Sequence, residues 1–164
     1  MRSSKCASFR RSGCGTCGTC GTVAPCVVRN SFVATEVTVP TEYSLDPEDV
    51  ATVVGVSAFT EAAYNVWVTA TVTFISASEE GAYEVQLAYY DVASGTPETA
   101  TSIGEPSTVT LGSDVTSVTV AGVCPTAAGR TYRFIAQVSP PDSLEGSSTV
   151  QAGSCTIALL GVRG

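Results

Sequence analysis

Histidine is absent from the 164 residues, and Lys5 is the only lysine. The commonest general base and the amine of Schiff-base chemistry are therefore missing or confined to one terminal position. Charge is sparse: 14% of residues are Asp, Glu, Lys or Arg, against about a quarter in an ordinary soluble domain. No run nears the ~18 uninterrupted apolar residues of a membrane-spanning helix, so no membrane partner is expected. Residues 1–12 are basic and polar with no apolar segment behind them, and no conventional secretory leader is visible. There is no Walker loop, no Gly-x-Ser-x-Gly turn and no N-glycosylation acceptor. Gly13, Gly15 and Gly18 match the letter of a dinucleotide fingerprint, but no strand precedes them and no helix follows. Asp46, Glu48 and Asp49 have the wrong spacing for an EF-hand calcium loop. No catalytic constellation is left, and an enzyme is not expected.

What the chain does have is valine, 23 residues, and threonine, 22. That β-branched excess favours strands over helices. From Val27 the chain alternates. Val33, Thr35, Val37 and Val39 share one face, and Pro40 ends the run. Asp46-Pro47-Glu48-Asp49 reads as a cap with proline at the first helical position, which predicts one short helical turn. Residues 64–76 form the clearest strand, with Val66, Val68, Ala70, Val72 and Phe74 on one face and Trp67, Thr69, Thr71 and Thr73 on the other. Glu79-Glu80-Gly81 turns the chain into a second strand lined by Tyr83, Val85, Leu87 and Tyr89, and the two are expected to pair as a hairpin. Residues 93–106 read as a loop. Further strands are expected near 107–111, 115–123, 130–138 and 154–162, with a proline loop at 139–143. Eight to ten short strands separated by turns imply an all-β sandwich or barrel.

Charge divides the chain into two parts. The first 29 residues carry Arg2, Lys5, Arg10, Arg11 and Arg29 with no acid, a charge of +5; the rest carries Arg130, Arg133 and Arg163 against fifteen acids, a charge of −12. We place a basic, irregular, Cys/Gly-rich arm at residues 1–31 and a sandwich domain at 32–164. Arg2, Lys5, Arg10 and Arg11 suit docking on an acidic surface, such as a neighbouring copy or a capsid. Five cations before a body of −12 make a poor binder of nucleic acid, where phosphate neutralisation supplies most of the affinity.

Cys14, Cys17, Cys20 and Cys26 are spaced C-x2-C-x2-C-x5-C, with Cys6 upstream. Four thiolates at this spacing suit tetrahedral zinc, with glycines letting the backbone wrap closely. Disulfides, the reading favoured over metal, would staple a segment with almost no apolar core, and seven cysteines leave one thiol over within a chain, available to a neighbour; reduced thiols are the third reading. An iron–sulfur cluster fits less well, since the familiar run ends in C-x3-C-P. Cys124 is in phase with Val118 and Val120, and Cys155 with Ile157 and Leu159. Both are expected to face the core, either paired across the sandwich or as two small buried hydrophobes. Trp67, opposite the aliphatic stripe of its strand, reads as a core or subunit-contact residue, or as a carbohydrate platform.

The Tyr-led strand from 64, the acidic glycine turn, the second alternating strand to 92, the segment Ala128–Val138 and the close Ser148–Gly161 together resemble the jelly-roll domains of the tumour-necrosis-factor and complement-globular-head type, especially those on bacteriophage particles as head-decoration (cement) proteins and fibre tips. The resemblance covers about residues 32–161. It implies an antiparallel jelly-roll β-sandwich and assembly as a homotrimer. The Cys-rich arm has no counterpart there. The expected function is thus a structural virion protein, a phage capsid decoration or cement protein at the capsid surface. A secreted or cell-surface adhesion module, with ligand contacts on loops 93–106 and 139–149, is the alternative. A small metal-binding protein using the arm cysteines is the third.

Overall fold

A computed structural model of the chain describes residues 31–164. Ten strands follow in order: β1 Ser31–Val37, β2 Thr41–Leu45, β3 Ala51–Thr60, β4 Tyr64–Ala77, β5 Gly81–Asp91, β6 Thr101–Leu111, β7 Thr116–Thr126, β8 Arg130–Ser139, β9 Ser148–Ala152 and β10 Thr156–Arg163. One 3-10 turn, Pro97–Thr99, lies between β5 and β6.

All the pairings are antiparallel, and they make two sheets. Sheet A is built on β4, the longest strand. β7 bonds along one edge of it, and β10 and then β9 bond end to end along the other. β1 flanks β10, and β2 flanks β9. Pro40 falls in the break between β1 and β2, where a residue without an amide proton is tolerated. Sheet B has the order β3-β8-β5-β6.

The two sheets stack face to face. Val66, Val68, Ala70, Val72 and Phe74 of β4 are completely buried, as the alternation predicts. They share one core with Tyr83, Val85 and Leu87 of β5 and with Phe134, Ala136 and Val138 of β8. Most buried hydrophobic side chains here are Val or Ala, which suit the tight, regular spacing between two pleated surfaces. Two polar contacts close the ends. The Tyr83 hydroxyl meets the Ser148 hydroxyl at 2.6 Å and donates to the Glu79 carbonyl, and Thr60 Oγ1 donates to the Ala127 carbonyl at 2.6 Å. No buried side-chain oxygen or nitrogen among the described residues lacks a partner.

Three expectations are corrected. The strands at 64–77 and 81–91 do not form a hairpin. Both edges of β4 are taken, by β7 and by β10 and β9, and residues 78–80 carry the chain across to sheet B. Alternation reveals which face of a strand is buried, not which neighbour bonds its edge. Asp46–Asp49 is a β-turn rather than a helical turn. The Asp49 amide donates to the Asp46 carbonyl at 3.0 Å, Pro47 takes the first central position, and Glu48 takes the second with φ +72°. That is the layout of a type II turn, in which proline suits the first position and a left-handed residue is required at the second. Finally, the loop expected at 93–106 ends early, because β6 begins at Thr101. Gly104 (φ +69°) and Pro106 hide the strand's alternation, and β6 tolerates them because it is an edge strand with a register shift opposite Val85–Leu87.

Candidate functional site

Arg2, Lys5, Arg10, Arg11, Cys14, Cys17, Cys20 and Cys26 lie outside the described residues. The two remaining cysteines are both free thiols in the core. Cys124 lies opposite Val66 on one edge of β4. Cys155 precedes Thr156, which pairs with Thr71, so it sits level with Val72 on the other edge. Six residues of strand is about 20 Å, whereas a disulfide needs Cα atoms within ~7 Å. The structure therefore separates the pair that sequence phase alone left open. Burial pushes the Cys124 thiol up to about 12, so it stays protonated. Cys155 Sγ donates to the Gly153 carbonyl at 3.6 Å.

Trp67 is not a core residue: it is 59% exposed on the outer face of sheet A. The registers place it in a row across four strands, Val33 of β1, Leu160 of β10, Trp67 of β4 and Val123 of β7. All four are exposed. The next row is Thr35, Ala158, Thr69 and Ala121, and the one after it Val37, Thr156, Thr71 and Thr119. On the other side lie Ser31, Val162, Asn65 and Pro125. Thr71 and Thr119 share a hydroxyl bond at 3.0 Å, and Thr73 and Ser117 beyond them another at 2.9 Å. None of these side chains carries a charge.

Position within the sheet makes this face continuous across four strands. Behind it, Gly161 leaves the space in which the Phe32 ring lies, and a Cβ there would sit inside that ring. Phe32 meets Tyr64 edge to face with centroids 5.1 Å apart, which holds β1 against β10 and completes the fourth column of the face.

The outer face of sheet B differs. Ser57, Arg133 and Tyr90 form one row, and Gly55, Ile135 and Ala88 the next. Ile135 and Ala88 point outward, yet they are 1% and 2% exposed. Flanking side chains and the 92–100 segment shield this sheet. Gln137 Nε2 donates to the Pro97 carbonyl at 3.4 Å, and a Cβ on Gly95 would come within 2.9 Å of Tyr90 Cβ. Asp91 anchors the segment. Its backbone carbonyl accepts from Gly95 N at 2.8 Å, and its carboxylate accepts from Ala93 N at 3.0 Å and from Arg130 at 2.6 Å. The Ala93 amide first, and Arg130 second, hold that carboxyl below its ordinary value.

A groove of about 360 Å³ opens between the sheets, lined by residues that include Glu36, Tyr43, Gly55 and Arg133. Burial raises the Tyr43 hydroxyl's pKa there. Among the described residues no three metal-ligating side chains come together, and no helix is long and apolar enough to cross a membrane. Asp46, Glu48 and Asp49 are used in their own turn, where Asp49 Oδ2 accepts from Asp46 N at 2.9 Å.

No protein-family model and no curated protein sequence matches the chain. Among solved structures, a chain of the infectious bursal disease virus Gx strain aligns with TM-score 0.53 and 10% identity, over 82% of this chain and 32% of the other. A chain of the Gt strain of that virus aligns with TM-score 0.50 and 12% identity, over 88% and 42%. These neighbours are viral capsid proteins. The chain thus spans a third to two-fifths of the neighbours' length, and what it shares with them is the fold.

Proposed function

We propose that the protein is a structural component of a virus particle, a decoration or cement protein of a phage capsid whose sandwich is a jelly roll. The observation that carries this reading is the strand order. β1-β10-β4-β7 faces β3-β8-β5-β6, eight strands in two four-stranded layers, with β2 and β9 as extensions of the first. That order supports reading the sandwich as a jelly roll, an arrangement common in viral capsid domains, and the likeness to the viral chains supports it too. The protein works by binding rather than by chemistry. The sandwich assembles into a homo-oligomer, for which the tumour-necrosis-factor-like resemblance gives three copies. The basic arm, with Arg2, Lys5, Arg10 and Arg11, ties it to an acidic neighbour at the capsid surface.

The test is fractionation of the organism that makes the protein, followed by mass spectrometry of purified particles. The protein is expected in the particle fraction at stoichiometric amounts. A chain lacking residues 1–26 should keep a cooperative unfolding transition and fail to join particles. Recovery only from the secreted or cell-surface fraction, with none in particles, would replace this reading with that of an adhesion module.

A further inference from the structure

We infer that the outer face of sheet A is a twofold contact surface that receives the same face of a second copy of this chain. The inference deepens the assembly part of the function proposed above and rests on it, but it does not depend on where the assembly resides.

The first reason is electrostatic. The body carries −12, so two copies repel wherever their acids approach. The outward residues of β1, β10, β4 and β7 offer an uncharged plane in four rows of four, with Thr73 and Ser117 beyond. Copies can meet there without burying an unpaired carboxylate, which would be strongly unfavourable. A charged partner would find nothing on this plane to pair with.

Area is the second reason. Each outward residue of a sheet tiles about 4.8 by 6.8 Å of plane, so the face covers roughly 600 Å² before the relief of its side chains is added, close to the ~800 Å² per partner of a standard interface.

The third reason is shape. An isologous contact must be complementary to itself. Here the row of large side chains through Trp67 lies beside a row of small ones through Thr69. A twofold axis passing between those rows sets the large row of each copy over the small row of the other. Sheets stacked about 10 Å apart interdigitate in this way. The contact is twofold, and therefore additional to any threefold contact within a trimer.

Trp67 is the only tryptophan in the protein and lies within the patch, so it reports on the contact directly. The experiment follows its emission and its quenching by acrylamide in the full-length chain across a concentration series, alongside sedimentation velocity. Association and a blue shift with loss of quenching are expected to share one midpoint. The contact that Trp67 reports should withstand added salt, because the face itself holds no cross-contact ion pairs to weaken. Leu160→Lys and, on another strand, Val123→Lys place each new charge in the contact twice, and each is expected to weaken association at least about tenfold. Both sites are exposed, so the far-ultraviolet circular dichroism of the variants should match that of the parent. Three results would overturn the inference: a monomer at high micromolar concentration, an oligomer whose Trp67 remains freely quenched, or a shielded Trp67 in a monomer. The second leaves assembly standing and removes only this face. The third assigns the cover to the chain's own N-terminal segment.

Discussion

The two outer surfaces of the sandwich have opposite fates. On sheet B, Ile135 and Ala88 point away from the core and are nonetheless buried, among Arg133, the glutamines and the 92–100 segment. On sheet A, Trp67, Leu160, Val33 and Val123 point away from the core and stay exposed. Both surfaces carry apolar side chains at outward positions, and among the described residues only sheet B has a cover. Outward phase on a strand therefore does not by itself make a residue a surface residue. What lies over the sheet decides that, and on sheet A no described segment does so.

The sharpest way to break this comparison is to truncate one side chain on each surface. Ile135→Ala should lower stability by about 2–4 kcal/mol in urea unfolding, as for a core residue, while Leu160→Ala in the monomer should stay within about 0.5 kcal/mol. Equal effects would mean that the cover on sheet B contributes nothing. Next in size is Gly161→Ala, which drives a methyl group into the Phe32 ring. A loss of about 1–3 kcal/mol is expected, together with faster amide exchange in β1, because that strand's inner ring would no longer fit against β10. The outer face of sheet A would lose its Val33 column, and the self-association of the intact chain should weaken with it.

Smaller is the effect of Glu48→Gly, at the turn that leads into sheet B. Glutamate holds φ +72° there, a conformation natural to glycine and unfavourable for other residues by about 1 kcal/mol. The variant should raise the unfolding midpoint slightly, offset in part by the greater freedom of the unfolded chain. The smallest effect is a local one in acid. Asp91's carboxyl is held below its ordinary value by Ala93 N–H and then by Arg130. A depressed carboxyl contributes stability above its unfolded pKa and loses it as pH falls through the lower folded value. Amide protection at Ala93 and Gly95, corrected for intrinsic exchange, should hold at neutral pH and fall below about pH 4. The amides of β4 and β10 should not respond.

Much of this architecture was legible beforehand. The period-two runs of Val66–Phe74 and Tyr83–Leu87 identify two strands and the face each buries, because burial on one side of a pleat leaves its mark on every second residue. Strands whose runs are short or broken by Gly and Pro were not legible. β9 has five residues, and the first half of β6, which reads as loop although 107–111 reads as strand, carries Gly104 and Pro106. The turn at Asp46–Asp49 failed for a related reason, since proline after aspartate opens a helix and a β-turn equally well. The candidate surface was only half legible. Trp67 stands out from its strand's aliphatic stripe, but Val33, Leu160 and Val123 come from segments 34 to 93 residues away in the chain, and nothing local aligns them.

The amino-acid sequence alone determined the class of this protein. Its β-branched content and alternation commit it to strands, and its sparse charge, with no histidine and a single lysine, sets it apart from an ordinary soluble domain. These are local properties, written residue by residue. Tertiary structure alone decided that β4 bonds β7, β9 and β10 rather than β5, that Cys124 and Cys155 lie on opposite edges of it, and that four hydrophobic residues form one exposed row. Edge pairing and register depend on which distant strands complete the hydrogen bonds of each edge, and that choice belongs to the whole sandwich at once.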